Sequence, residues 1–165
     1  MKPFERADDG AVTAGIERDE ALLLQNLASQ LTALLREGDG MDPAVVRLIP
    51  DAYPDDPAAS AEFRRFTAGG LIERKLANAD TLILTLSDSI ETGVLRLDPQ
   101  QAGAWLRSLT DIRLTLASRL GIESDDQAPS EDAILQNLYD WLGFLQNSLV
   151  EAVDATAPDA AAADG

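Results

Sequence analysis

Between Asp98 and Leu120 the apolar residues recur at helical spacing. Trp105, Leu109, Ile112, Leu116 and Leu120 follow one another at steps of four, three, four and four. At about 100° per residue they share one stripe, which predicts an amphipathic helix with a partner surface. Asp98 supplies a cap for it, and Pro99 suits the first helical position, where its missing N–H has no intrahelical partner. Arg119 falls inside the stripe and Arg113 on its margin. Arginines so placed must snorkel to water or pair with a carboxylate, with Asp140 and Glu62 as the expected partners.

The same reading covers the rest of the chain. Alternation of Val12, Ala14 and Ile16 with Ala11, Thr13 and Gly15 predicts a strand. With Asp9-Gly10 as a two-residue type I′ turn, residues 3–16 form a hairpin. Leu23, Leu24, Leu27, Leu31, Leu34 and Leu35 predict a helix from Glu20 to about Glu37, capped by Asp19 and ended by Gly38-Asp39-Gly40. Asp42-Pro43 opens a short helix that Pro50 must stop, and Asp56-Pro57 opens another. Ile72, Leu76, Ala79, Ile83 and Leu86 form a further stripe. Phe63 and Phe66 lie off it, so a break is expected at Gly69-Gly70, where each glycine costs about 1 kcal/mol in a helix interior. Gly93–Leu97 is short and rich in strand formers, and is expected to pair with the hairpin. Ile134, Leu138, Trp141, Leu145 and Leu149, widened by Leu135 and Leu142, predict a last helix capped by Ser130.

The expected fold is mainly α: about five helices with a small antiparallel sheet, made from the N-terminal hairpin and one strand near 93–97. One helical domain spans 1–153, and the small acidic tail 154–165 is expected to be disordered. Trp105, Leu109, Ile112, Leu116, Leu138, Trp141 and Leu145 are the expected core. No apolar run approaches 18 residues, so no membrane span is expected. The start, MKPFERADDG, lacks the apolar segment of a signal peptide, which points to the cytoplasm.

Chemistry enters chiefly by exclusion. The 165 residues include no cysteine and no histidine. That removes thiol nucleophiles, Cys/His metal sites and imidazole bases. Phosphate-loop, dinucleotide, zincin and nucleophile-elbow motifs are missing too. Asp8-Asp9 and Asp125-Asp126 lack calcium-loop spacing. No catalytic residue, metal site or cofactor is therefore expected, and the chain reads as a non-enzyme. Net charge is −16, and residues 120–165 hold ten acidic side chains with no Lys or Arg. Affinity for DNA comes largely from cations at phosphates, so direct DNA binding is disfavoured and a basic protein partner is favoured. Arg64, Arg65, Arg74 and Lys75 form the densest basic group, either a contact for an acidic partner or a set of internal ion pairs. Tyr139, off its helix's main stripe, is a candidate surface contact.

Three stretches, PDAYPDDPAASAEFRRFT (50–67), AWLRSLTDIRLTLASRLGI (104–122) and LYDWLGFLQNSLV (138–150), together with the N-terminal PFER…GAVTAGIERDEALLLQNLASQL, carry a resemblance. The chain resembles an actinobacterial family long described as a domain of unknown function, whose members are described as oxidative-stress transcriptional regulators. The similarity covers nearly everything but the tail. It implies a non-enzymatic regulator that contacts a sigma factor or RNA polymerase component. The redox sensing attributed to the family uses cysteines. In this cysteine-free chain, either the sensing lies in the partner, or this member is constitutive or does something else. The alternative reading is an adaptor or scaffold protein in protein quality control. The sequence leaves the oligomeric state open.

Overall fold

The computed structural model describes residues 1–38, 41–49, 69–121 and 132–155. Over these residues the chain runs β1 (Glu5–Arg6), β2 (Val12–Gly15), α1 (Arg18–Glu37), α2 (Pro43–Leu48), α3 (Gly69–Thr92), β3 (Val94–Leu97), α4 (Pro99–Leu120) and α5 (Ala133–Asp154). The mainly helical architecture with one small antiparallel sheet is as expected. The loop at 50–57, the Asp56-Pro57 helix start, Phe63, Phe66, the acidic loop after Gly121 and the tail from 156 lie outside the described residues.

The sheet has the order β1-β2-β3, both pairings antiparallel, with Arg6 opposite Val12 and Val12 opposite Leu97. Alternation fixes its faces: Val12, Ala14, Leu95 and Leu97 are buried, while Val94 and Arg96 face outward. The hairpin turn differs from the expected type I′. That turn needs positive φ at both central residues. Here only Gly10 has it (φ 91°), and no described non-glycine residue does. Ala7 N–H donates to Ala11 O at 2.8 Å and Gly10 N–H to Ala7 O at 3.1 Å. The loop is thus three residues, Asp8-Asp9-Gly10, with glycine in the left-handed position.

The helix α4 is the hub, touching α1, α2, α3, α5 and β3. Asp98 caps it reciprocally: its carboxylate accepts from Gln101 N–H at 2.7 Å, and its own N–H donates to Gln101 Oε1 at 2.9 Å. Trp105, Leu109, Ile112 and Leu116 are buried as the stripe requires. Each such leucine contributes roughly 1.5–3 kcal/mol by leaving water. The Trp105 indole N–H donates to Thr85 Oγ1 at 2.8 Å, which satisfies its one polar atom inside the core. Phe4 meets Trp105 edge-on, with centroids 6.0 Å apart, and its N–H donates to Ser148 Oγ at 2.6 Å. The N-terminal segment thereby ties α4 to α5.

Helix ends and faces bring several corrections. The first helix begins at Arg18 with Glu17 at the cap, whose N–H donates to Glu20 Oε1 at 3.0 Å, so Asp19 lies inside the first turn. Its buried face is Ala21, Leu24, Leu27, Ala28, Leu31 and Leu35, whereas Leu23 is exposed. Gly38 does end the helix, but in extended geometry (φ −64°, ψ 138°). A Cβ there would collide first with the Leu34 carbonyl oxygen of α1's own last turn and then, at 2.7 Å, with Val45 Cγ2 of α2, so the two together demand glycine. The last helix is capped by Asp132, not Ser130: its carboxylate accepts from Leu135 N–H at 3.1 Å. Its buried face is Leu142, Leu145, Leu149 and Ala152. Leu138 and Trp141 are only partly buried at the core edge, and Ile134 is 81% exposed. In so apolar a helix two adjacent stripes satisfy the same period, and packing against α4 selects one.

Candidate functional site

The α3–α4 seam buries Thr85, Ser108 and Asp111 between its helices. The helices run antiparallel, since Lys75 meets Asp111 while Thr85 meets Trp105. Ala104, Ser108 and Asp111 recur at steps of four and three, and all three are buried. This gives α4 a second buried face beside its apolar stripe. Lys75 Nζ donates to Asp111 Oδ1 at 2.7 Å, with side chains 17% and 5% exposed. Asp111 Oδ2 and Ser108 Oγ are buried without a hydrogen-bond partner. Burial pushes the Asp111 carboxyl above the usual carboxylate range, and the Lys75 ammonium offsets this only in part.

The expected basic group is thus divided. Lys75 turns inward to Asp111, as the ion-pair alternative requires, while Arg74 stays exposed. Arg64 and Arg65 lie outside the described residues. The structure adds Arg107 from α4, absent from the sequence expectation, because 33 positions separate it from Arg74. Leu71, Arg74, Lys75, Asn78, Arg107 and Asp111 are among the residues lining a groove of about 620 Å³ between the helices.

Neither stripe arginine pairs with Asp140, and Glu62, the other expected partner, lies outside the described residues. Arg119 forms a two-pronged pair with Asp42, at 2.9 and 3.0 Å, joining α4 to the start of α2. The same Asp42 carboxylate accepts from Ala44 N–H at 2.9 Å. The Arg119 guanidinium, with that N–H, holds Asp42 below its ordinary carboxylate range. Arg113 donates to Gln146 Oε1 at 3.2 Å and lies over the Tyr139 ring at 4.3 Å, a cation–π arrangement. Its partners are therefore on α5, but Asp140 is not among them: Asp140 accepts from Gln136. Tyr139, the candidate surface contact, is half-buried beneath Arg113.

On the outside of α5 a different surface appears. Asp140, Phe144, Asn147, Glu151 and Asp154 are exposed and lie within about 80° of one another around the helix. Phe144 is 44% exposed at one edge of this face. The helix contains no Lys or Arg. Among the described residues no three acidic side chains gather in a way that could hold a metal ion, and no helix is long and apolar enough to cross a membrane. What the arrangement can do is present charge and one aromatic ring to a partner.

Comparison with known proteins gives these surfaces a family. Residues 1–153 match the family described as "Domain of unknown function (DUF2017)". The chain is 28% identical over 187 residues to the protein named oxidative stress regulator AosR in Mycobacterium bovis, covering 90% of this chain and 85% of that one. The protein of the same name in Mycobacterium tuberculosis gives the same figures. The aligned span, 187 residues, exceeds this chain's 165, so the relatives carry additional residues inside the matched region. No solved structure matches. The chain belongs to the DUF2017 family, and its mycobacterial relatives are named oxidative stress regulators.

Proposed function

We propose that this chain is a non-enzymatic regulator of the oxidative-stress response, acting by direct contact with a protein of the transcription machinery. A sigma factor or an RNA polymerase component is the partner class. The regulator name of the relatives supports the role, and the outer face of α5 supports the mode of action. That face, with Asp140, Glu151 and Asp154 along it, Phe144 at its edge and no cation on the helix, fits a basic surface that carries an apolar socket. The carboxylates steer encounter and select against acidic partners, while Phe144 supplies the anchor that holds the complex. Direct DNA binding is disfavoured by the net charge of −16.

The test is an affinity capture from the protein's own cell lysate, comparing the natural chain with Phe144→Asp and with Asp140→Lys/Glu151→Lys. Enrichment of a sigma factor or polymerase subunit with the natural chain, lost in both variants, is the expected result. Enrichment of protease or chaperone subunits would replace this reading with the adaptor alternative. Capture that survives both variants would move the contact away from α5.

A further inference from the structure

We propose that the outer face of α1 is a self-association surface, on which a second copy of this chain packs with its own α1 running antiparallel. The face is marked by the charge it lacks. Fifteen residues, 21–35, carry no charged side chain, and the next longest uncharged run, 141–150, has ten. Six of the fifteen are nevertheless exposed: Leu22, Leu23, Asn26, Ser29, Gln30 and Ala33. They lie within about 120° around the helix, opposite the buried Leu24, Ala28 and Leu35. Leu22 and Leu23 are 44% and 41% exposed. An exposed helix face ordinarily carries charge, above all in a chain with 29 acidic and 13 basic side chains. Depletion of charge on a surface patch is the compositional mark of an interface core.

The face is complementary to itself. A two-fold axis through the middle of α1, between Leu27 and Ala28, sets Leu22 of one copy against Ala33 of the other and Asn26 against Ser29, with Leu23 beside Gln30. The bulky end of the face thus covers the end where Ala33 leaves space, and the two helices close along their whole length. A parallel pairing would oppose Leu22 to Leu22 and Ala33 to Ala33, leaving a gap at one end. Gln30 Nε2 donates to Asn26 Oδ1 at 2.6 Å within the helix, and the Asn26 amide nitrogen has the protons to donate to Ser29 Oγ of the second copy. At each end the exposed Arg18 and Asp19 meet the exposed Arg36 and Glu37 of the second copy, two cations with two carboxylates, so the ends are neutral as well.

The 20 residues of α1 span about 30 Å. A strip of that length and about 15 Å wide buries roughly 900 Å² over the two copies, under the ~1,200 Å² of stable complexes, so the dimer is weak, with a Kd of about 100 μM. Each copy carries a net charge of −16, and two copies repel at a distance. Salt screens that repulsion and strengthens the dimer, the reverse of its effect on a contact between the acidic α5 face and a basic surface. Self-association is independent of the proposed regulator function, since α1 and α5 present separate faces.

The experiment is sedimentation equilibrium of the full chain from about 5 to about 500 μM, at about 0.05 and about 0.5 M salt. The expected result is a mass that rises from 17.6 kDa toward twice that value, with the tighter dimer at the higher salt. Ala33→Glu sets a carboxylate against Leu22 of the second copy and weakens the dimer at least about tenfold. Ala33 is exposed and glutamate is a good helix former, so this variant stays folded, which urea unfolding checks. Leu84→Glu, the same added charge on an exposed residue of α3, and Phe144→Asp on α5 leave dimerisation unchanged. Because the chain has no cysteine, introduced thiols report the direction of pairing. Leu22→Cys mixed with Ala33→Cys forms a cross-linked dimer on mild oxidation, and neither variant does so alone. A mass of 17.6 kDa at every concentration, a mass that rises beyond the dimer, a dimer that weakens with salt or survives Ala33→Glu, or cross-linking of Leu22→Cys with itself overturns the proposal. None of these outcomes touches the α5 contact, which its own capture experiment decides.

Discussion

Replacing Lys75 by Met probes the most consequential polar contact described here. Methionine keeps the unbranched apolar stem and removes the ammonium. Asp111, 5% exposed, then loses its donor at 2.7 Å, and its other oxygen already has none. Breaking a buried ion pair from one side costs about 3–5 kcal/mol, because a charge is left buried without compensation. Lys75 retains 17% exposure, so water can enter from its side, and the low end, about 3 kcal/mol at pH 7.5, is expected. That is a large part of the ~5–15 kcal/mol that holds a domain folded. With a urea m-value of about 2 kcal/mol/M, the midpoint should fall by roughly 1.5 M. The sign with pH is definite. Burial raises the Asp111 pKa above its unfolded value of 3.8, so the native state holds the proton more tightly. Stability associated with this group is present below 3.8 and is lost as pH rises through the folded value. Without Lys75 that value rises further, so the penalty should shrink between pH 7.5 and pH 5.5, a range that stays above the sequence pI of about 4.1. Lys75→Met/Asp111→Asn removes the charge and should recover about two-thirds of the loss, leaving the cost of an imperfectly paired amide. The assay is urea unfolding followed by circular dichroism at both pH values. A midpoint shift under about 0.3 M, the same at both pH values and indifferent to Asp111→Asn, would refute the account of a stranded buried carboxylate.

Trp105→Phe should cost about 2–3 kcal/mol in the same assay, combining a small cavity with the lost hydrogen bond to Thr85; a change below about 0.5 kcal/mol would contradict its place at the centre of the core. Arg119→Gln should return the Asp42 carboxyl toward 3.8 in an NMR pH titration. Since the folded value is depressed, the stability tied to Asp42 is present above 3.8 and is lost as pH falls through the folded value; this acid-side loss should be smaller in the variant, and an unmoved titration would show that Arg119 does not hold the carboxylate.

Much of the fold follows from one-dimensional pattern because its determinants are local. Asp98-Pro99 and Asp42-Pro43 start helices through groups within three residues. Alternation in Val12–Ile16 and Val94–Leu97 specifies strand faces, and the short span from α3 through β3 to α4 returns the chain antiparallel. Periodicity could not choose between the overlapping stripes of α5, nor tell that Leu23 of α1 faces water, since both depend on which neighbour the helix meets.

The functional surfaces divide along the same line. The sequence by itself determined what chemistry is absent, because a missing histidine or cysteine needs no coordinates, and it determined that residues 120–165 carry no cation. It also held an unread signal at Ala104, Ser108 and Asp111, whose helical spacing marks a second face of α4 packed against a neighbour. Tertiary structure alone decided that Lys75 turns inward while Arg74 stays out, that Asp42 rather than Asp140 receives Arg119, and that Arg107 shares a groove with Arg74. Charge pairing depends on distances of a few ångströms between helices distant in sequence, and those distances are set by the packing of the core around α4.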